Sequence, residues 1–494
     1  MTSARRFMAR SLPVALALGL CAPLAVGAQP SQVPIAVPTP APMPTMSGTP
    51  MPYPAYGTPA PDVAAQKAHP GIPVVVTLNQ AIDIAVAQSP TFASERAQYR
   101  AIAARYGAEK GALLPNISAD ASATRSFSGA LSATGTTPQA TSGPSAASYA
   151  TQQSAAINVS ELIYDGGEVI AGIRSAKEAD VAGRDTLLRE MQTLAYNVAA
   201  NYYVLLEDNA SVASDNSLVH EFEINEQYVE AQIRTGAAPR SDLAAAQFQT
   251  AQARGALVTA QGAAIAAQGV FSTVLGLDAD SAISPKLLGT SPPQAKLLSY
   301  QQALQEAYTL RPDFLAAEHT VESYKENLRF AKLARFPTLT ANGSIGADRT
   351  EIPTGAYQTN YQGRNTLGAT LTIPIYDQGI TNYNVAVAAA TLDEASASMT
   401  MTRLQVQSDV RGGLANLISA RANLVQAQAE VTSATVSLQA TQAQYKVGAS
   451  TITAIVTAEA NLATAQTAYV AALYGERLAE SQYAYVLGAS DLSL

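Results

Sequence analysis

Ile163-Tyr164-Asp165-Gly166-Gly167 and, 212 positions later, Ile375-Tyr376-Asp377-Gln378-Gly379 are the two stretches on which the fold turns. Each closes a segment whose apolar residues alternate and opens a proline-free run of 69 residues, Gly167 to Thr235 and Gly379 to Val447. Period 2 reads as strand and a long uninterrupted run as helix, so each stretch is a strand-to-helix junction. At ~1.5 Å per residue such a helix is ~100 Å long, beyond any ordinary globular domain.

On either side of these junctions, landmarks recur at constant offsets. Gly236 matches Gly448 and Leu275-Gly276 matches Leu487-Gly488 at 212. Upstream, Ala81-Ile82-Asp83-Ile84-Ala85 leading to Pro90 matches Ala303-Leu304-Gln305-Glu306-Ala307 leading to Pro312, and Pro115 matches Pro337, at 222. The copies therefore differ by ten residues, all between Pro115 and Asp165. In each copy a helix (Thr91 to Leu114, Pro312 to Phe336) precedes two alternating segments. Leu367, Ala369, Leu371, Ile373 and Ile375 form one face against Gly368, Thr370 and Thr372; Ala155, Ile157, Val159 and Ile163 oppose Ser154, Asn158 and Ser160. Ile117 to Ala123 and Leu339 to Ala347 alternate against Ser118, Asp120, Ser122 and Thr340, Asn342, Ser344. Strands of ~9–11 residues suit a tilted bilayer crossing, with Leu371 near mid-strand on the lipid face. Residues 124–152 and 349–364, rich in Ser, Thr, Gly and Pro, read as loops. Return helices Arg240 to Leu275 and Thr451 to Leu487, ~55 Å each, stack end to end with the ~36 Å helices before the strands and so match the long helix. Their recurrent alanines permit close helix approach.

Composition narrows the function. The chain has 494 residues, no Trp, 14% charged residues and three dispersed histidines, with a formal net charge of −8. A nucleic-acid binder would carry a basic footprint. No catalytic triad, paired-carboxylate motif, phosphate loop or metal box is present, so neither an enzyme nor a cofactor is expected, and Gly166-Gly167 reads as a turn. Residues 1–28 read as a signal peptide, with Arg5, Arg6 and Arg10 before the apolar run Leu12 to Val26 and a small-residue site ending at Ala28. Cleavage there removes the only cysteine, Cys21, whose preceding Leu20 fits lipoprotein processing poorly, and leaves a charge of −11. Residues 29–76 read as a disordered tether, since 13 of the 27 prolines fall between Gln29 and Pro73. The remaining organisation is a first repeat over 77–276, a linker over 277–298, a second repeat over 299–489 and a tail over 490–494. After the leader no run approaches ~20 uninterrupted apolar residues, so a membrane crossing must be a barrel.

Four strands cannot close, and open edges are not tolerated in lipid. Two chains would give eight strands and a filled interior; three would give twelve, wide enough for a pore. The Gly, Ser, Thr and Asn face suits a watery lumen, which favours three.

With both junctions, the Leu78…Ala81…Ala85…Pro90 and Ala303…Ala307…Pro312 starts, Tyr445-Lys446-Val447-Gly448 followed by Ala458, Gly236 followed by Asp242-Leu243 and Ala246, and the ends at Gly276 and Gly488, the chain resembles the TolC family of outer-membrane factors over residues ~77–489. The resemblance implies a mainly α fold with a transmembrane β-barrel contribution, a trimer with a twelve-stranded barrel and a periplasmic α-helical tunnel. It also implies an outer-membrane location in a Gram-negative cell, and partners that include a periplasmic adaptor (membrane fusion protein), an inner-membrane pump of RND or ABC type and outer-membrane lipid, with no nucleic acid. Relatives of this kind close their periplasmic ends by coiling the helices inward, held by polar links between chains. Asp242 and Tyr445 stand where the family's closed-state aspartate and tyrosine stand. Ser450 replaces an arginine common there, and Ala454 and Thr457 replace two tip aspartates. Arg234, Gly236, Arg240, Lys446, Gly448 and Ser450 mark the tips where an adaptor docks, and Asp165, Gly167, Asp377 and Gly379 the strand–helix junctions, where carboxylates favour a helix start. The expected function is the exit duct of a tripartite efflux pump for small molecules. The alternatives are the duct of a type I polypeptide secretion system or, in a different class, a secreted helical filament or scaffold.

Overall fold

A computed structural model describes residues 74–128, 148–236, 238–286, 296–351 and 360–489. The leader, Cys21, the tether up to residue 73, the middle of the linker and the tail lie outside the described residues. In chain order the elements are β1 (Val75–Val76), α1 (Leu78–Gln88), α2 (Pro90–Gly111), β2 (Asn116–Ser128), β3 (Ser148–Tyr164), α3 (Glu168–Arg234), α4 (Arg240–Val274), β4 (Ser284–Pro285), α5 (Tyr300–Leu310), α6 (Pro312–Leu333), β5 (Thr338–Glu351), β6 (Gln362–Thr372), α7 (Ile380–Lys446) and α8 (Ile452–Leu487). α3 and α7 are each 67 residues long.

β2, β3, β5 and β6 form one antiparallel sheet in that order, so β3 and β5 join the two halves and β2 and β6 are its edges. The strands have 13, 17, 14 and 11 residues, longer than the apolar alternation indicates. Ladder bonds need only backbone, so Thr124, Arg125 and Ser126 continue pairing with Gln152, Thr151 and Ala150 in what reads as loop. One face is polar across the sheet. Ser122 meets Ser154 at 2.8 Å, Ser160 donates to Asn342 at 3.0 Å, and Ser344 meets Thr366 at 2.6 Å. On the other, Ile117, Val159, Gly343 and Leu367 share one rung, and Leu367 is 93% exposed in the single chain.

Two details correct the reading of the strands. β6 stops at Thr372, because Pro374 has no N–H for a ladder, so Ile373 and Ile375 lie beyond it; Leu371 is at its lower end and Leu367 is mid-strand. A register shift between Leu162 and Tyr164 takes Ile163 out of the alternation and pairs Tyr164 with Leu339 on the apolar face.

The helices pack as a layer in which α3 contacts α2, α4, α6 and α8, and α7 contacts α5, α6 and α8. The end-to-end stacking is set by two glycines. Gly276, after α4, has φ +81° and lies so close to the α1–α2 junction that a Cβ would come within 2.6 Å of the Gln88 carbonyl oxygen. Gly488, after α8, also has φ +81°, and a Cβ there would come within 2.8 Å of the Leu310–Arg311 backbone. A side chain at either would be strained and would separate the stacked helices. Beside these joints sit α1 and α5, each opened by a capping box: Thr77 with Gln80, Ser299 with Gln302. Each covers a core, Ala81, Ala85, Tyr202, Leu206 and Phe271 in the first half and Ala303, Ala307, Val410, Leu417 and Tyr483 in the second. The last residues of the segment read as a tether are ordered here. β1 pairs in parallel with β4 of the linker, and Tyr202 donates to the Lys286 carbonyl at 2.8 Å. α4 is, by length and composition, apolar enough to cross a bilayer, although, as the sequence indicates, it holds no unbroken apolar run; its hydropathy is an average carried by alanine. Phe248, Val258 and Ile265 of α4 are exposed in the single chain.

The two halves differ in charge at the second joint. Arg311, 3% exposed at its side chain, makes a two-pronged contact with Asp313 (3.0 and 2.6 Å) and reaches Asp409 at 3.0 Å. Arg189 of α3 lies 3.6 Å from Asp313, stacks 3.8 Å over the Tyr485 ring and donates to the Tyr485 carbonyl. In the first half the equivalent pair is uncharged, Ser89 and Thr91 at 2.7 Å. Burial alone would raise the Asp313 pKa, but the Arg311 hydrogen bonds outweigh it and hold that carboxyl below its ordinary range. Its stabilising contribution is therefore present at neutral pH and lost as pH falls below about 4. Arg311→Ala, which leaves Asp313 only the more distant Arg189 and takes from Asp409 its cation, is expected to cost about 3 kcal/mol at pH 7 and to flatten this acid dependence. Denaturant midpoints of wild type and variant at neutral and acid pH check both.

Candidate functional site at the hairpin tips

The tips are built the same way twice and finished differently. α3 ends at Arg234, and Gly236 (φ +75°) turns the chain toward Pro239, whose carbonyl accepts the Asp242 N–H at 3.1 Å. α7 ends at Lys446 with Gly448 at φ +76°; the N–H groups of Gly448 and Ala449 return to the carbonyls of Tyr445 and Gln444 at 3.0 and 2.8 Å. Thr451 then caps α8 by accepting the Ala454 N–H at 3.3 Å.

Asp242 and Tyr445 meet across the two hairpins. The Tyr445 hydroxyl donates to Asp242 Oδ2 at 3.2 Å, and Ser241 donates to the other oxygen at 3.3 Å. This link lies within one chain, whereas the resemblance implies links between chains. Both side chains are half-buried, and Tyr445 packs against an apolar cluster of Val229 (α3), Ala246 (α4), Leu438 (α7) and Ile452, Ile455 and Leu462 (α8). Burial, and then the Asp242 charge, push the Tyr445 phenol up to about 12. Arg234, Arg240 and Lys446 are exposed around the two turns, and Ser450 is half-buried.

At the other end of the long helices, Asp165 accepts the Gly167 N–H at 2.8 Å and also the Val169 N–H. Asp377 repeats this with Gly379 at 3.0 Å and Thr381 at 2.7 Å. Hydrogen bonds from Thr381, side chain first and backbone second, hold the Asp377 carboxyl below its ordinary range. Gly167 and Gly379 take left-handed conformations at the helix N-caps.

Sequence reasoning missed the Arg189–Asp313–Arg311–Asp409 cluster, although charges flanking Pro312 where the first copy has Ser89 and Thr91 are a visible asymmetry. It also missed two buried carboxyl sites on α8. Glu476 and Glu480 lie with Arg421 and Arg477, and Glu459 accepts from Asn225. Arg477 is a neighbour on α8 itself, but nothing in the local sequence marks Arg421 or Asn225 as partners, because they lie on α7 and α3. Among the described residues no group of His, Cys, Asp and Glu could hold a metal ion.

This architecture is that of a channel. The family described as outer membrane efflux protein matches twice, over residues 81–277 and 303–489, and the chain belongs to it. Outer membrane efflux protein BepC of Brucella suis biovar 1 (strain 1330) is 24% identical over 332 residues, 66% of this chain and 70% of the relative. Outer membrane protein TolC of Escherichia coli (strain K12) is 28% identical over 192 residues, 37% of each. The fold is similar to that of the Campylobacter jejuni CmeC outer membrane channel, with a TM-score of 0.70 at 17% identity over 84% of this chain and 87% of that one. It is also similar to the open state of the Neisseria gonorrhoeae MtrE outer membrane channel, with a TM-score of 0.66 at 19% identity over 86% and 94%. The protein is accordingly an outer-membrane efflux channel extending into the periplasm, and channels of this kind are not enzymes.

If the link between hairpins biases a two-state entrance, Tyr445→Phe with Asp242→Ala raises the open fraction in bilayer recordings without lowering the yield of assembled protein. Each such bond is worth ~1 kcal/mol, and in the trimer that the resemblance implies three of them together would shift the equilibrium about a hundredfold. Because Tyr445 keeps its proton up to about pH 12, its side of the link does not titrate between neutral and moderately alkaline pH. An unchanged open fraction in the double variant would show that other residues close the entrance.

Proposed function

We propose that three copies assemble into a twelve-stranded barrel and a continuous helical tunnel, and that this duct is the exit of a tripartite pump exporting small molecules. The observation that carries the assembly is the sheet itself. It has two open edges, β2 and β6, a polar face spanning all four strands and an opposite face of exposed Ile117, Ile157, Ile345 and Leu367. A lipid-facing sheet cannot leave its edges unpaired, and joining β6 of one copy to β2 of the next satisfies both. The exposed apolar residues of α4 support the same reading, since a neighbouring copy covers them without a membrane crossing by that helix.

In this reading the tips around Arg234, Gly236, Arg240, Lys446, Gly448 and Ser450 receive a periplasmic adaptor, and an inner-membrane pump of RND or ABC type supplies the energy. The efflux named in the descriptions of the family and of BepC favours small-molecule cargo over secreted polypeptide. With Ala454 and Thr457 at the entrance, multivalent cations block the channel only weakly from the periplasmic side.

Reconstitution into planar bilayers is expected to give trimers that conduct ions. Leu367→Arg, at mid-strand on the lipid face, should impair assembly by about 2–4 kcal/mol per chain, whereas Thr366→Arg, on the polar face, should assemble with altered conductance. A water-soluble monomer, or equal tolerance of both substitutions, overturns the arrangement. For cargo, deleting the gene should sensitise cells to small toxic compounds and leave the secreted polypeptides unchanged; the reverse pattern would identify a polypeptide secretion duct.

A further inference from the structure

The apolar cluster behind Tyr445 contains a carboxyl group that the tip link does not use. Glu459 of α8 is 1% exposed and follows Ile455 and Ala458, both part of that cluster. Its Oε1 accepts from Asn225 Nδ2 of α3 at 3.0 Å, and Glu221, one helical turn before Asn225, directs a second negative charge toward it. The contact joins the hairpin of α3 and α4 to the hairpin of α7 and α8, so any movement that parts the hairpins near their tips must break it.

Among the described residues no cation pairs with either carboxyl. On α3 the nearby titratable groups are Glu221, Glu223, Glu226 and the exposed His220; on α4 the nearest cation, Arg254, is committed to Glu223 at 2.7 Å. Beyond Arg421, α7 carries only Glu430, which lines a separate groove with Ala468 and Ala471, and Lys446 at the tip. Between Ile452 and Gly475, α8 has no other charge. Among the described residues no ion pair involves Glu459.

We propose that Glu459 is a gating residue: in its neutral form it holds α3 against α8 at the seam between the hairpins, and its ionisation beside Glu221 loosens that seam and favours opening. The proposal rests on the channel reading given above. A neutral carboxylic acid hydrogen-bonded to an amide is tolerated among apolar side chains, whereas a carboxylate there loses its hydration and faces a like charge. Burial first, and Glu221 second, push the Glu459 pKa up to about 7 with the seam closed. With the seam open the group is solvated and returns to ~4.3. The closed state therefore binds the extra proton between these values. Its advantage is complete below the lower one and is lost as pH rises through the upper one. Tyr445 packs on the same cluster, so loosening this seam also frees the link at the tip.

The test is single-channel recording of the full chain in planar bilayers between about pH 5 and pH 7.5, a span over which the wild-type open fraction should rise at least tenfold. Glu459→Gln keeps an acceptor for Asn225 and cannot ionise, so its open fraction should stay low across the range. Glu221→Gln, at a half-buried surface position, should move the rise toward lower pH, and yields of assembled channel should match wild type for both. Conducting wild-type channels with pH-independent opening overturn the latch alone. So does a rise that persists in Glu459→Gln, or an unmoved midpoint in Glu221→Gln. A preparation that conducts at no pH overturns the channel reading, and the latch with it.

Discussion

A four-stranded sheet with two open edges cannot rest in a bilayer, and the rest of the molecule is consistent with that one constraint. The backbone N–H and C=O groups that point outward from the free edges of β2 and β6 have no partner within the chain's own sheet, and hydrocarbon offers none. Joining strands between copies satisfies them. The proposed assembly would also explain why each strand carries small polar residues on one face: a barrel closed from several chains would enclose water, and Ser, Thr and Asn hydrogen-bond across the sheet instead of packing a core.

The helical layer is governed by length. α3 and α7 run past two shorter helices each, and the shorter ones meet at Gly276 and Gly488. At those joints the chain places its richest cores, around α1 and α5, and nearer the tips the packing thins to the cluster behind Tyr445. The gradient suits the function of the class: a well-packed middle keeps the tunnel wall intact, while lightly packed tips can move at modest cost.

Charge is spent sparingly and at seams. The Arg189–Arg311–Asp313–Asp409 cluster ties α3 to α6, α7 and α8 across the two halves. Glu459 with Asn225 makes the corresponding polar contact near the tips but without a cation. The first is a fully paired network, which resists separation. The second is an uncompensated group, whose hold on the seam depends on its proton.

Much of this was legible in the residues. Period-2 segments, proline-free runs and landmarks at two constant offsets determined the repeats, the strand-to-helix junctions and the helix lengths, because each signal is local and written twice. The resemblance to a known family singled out Asp242 and Tyr445, which no local pattern distinguishes. Only the tertiary structure decided where the strands stop and shift, since Pro374 truncates β6 and the irregularity at Ile163 depends on its pairing with β5. It alone set Asn225 beside Glu459 and Arg189 beside Asp313, residues more than a hundred positions apart. Periodicity reports which face of a helix is apolar; which partner that face meets, and which buried carboxyl is left without a cation, follows from packing between helices distant in sequence.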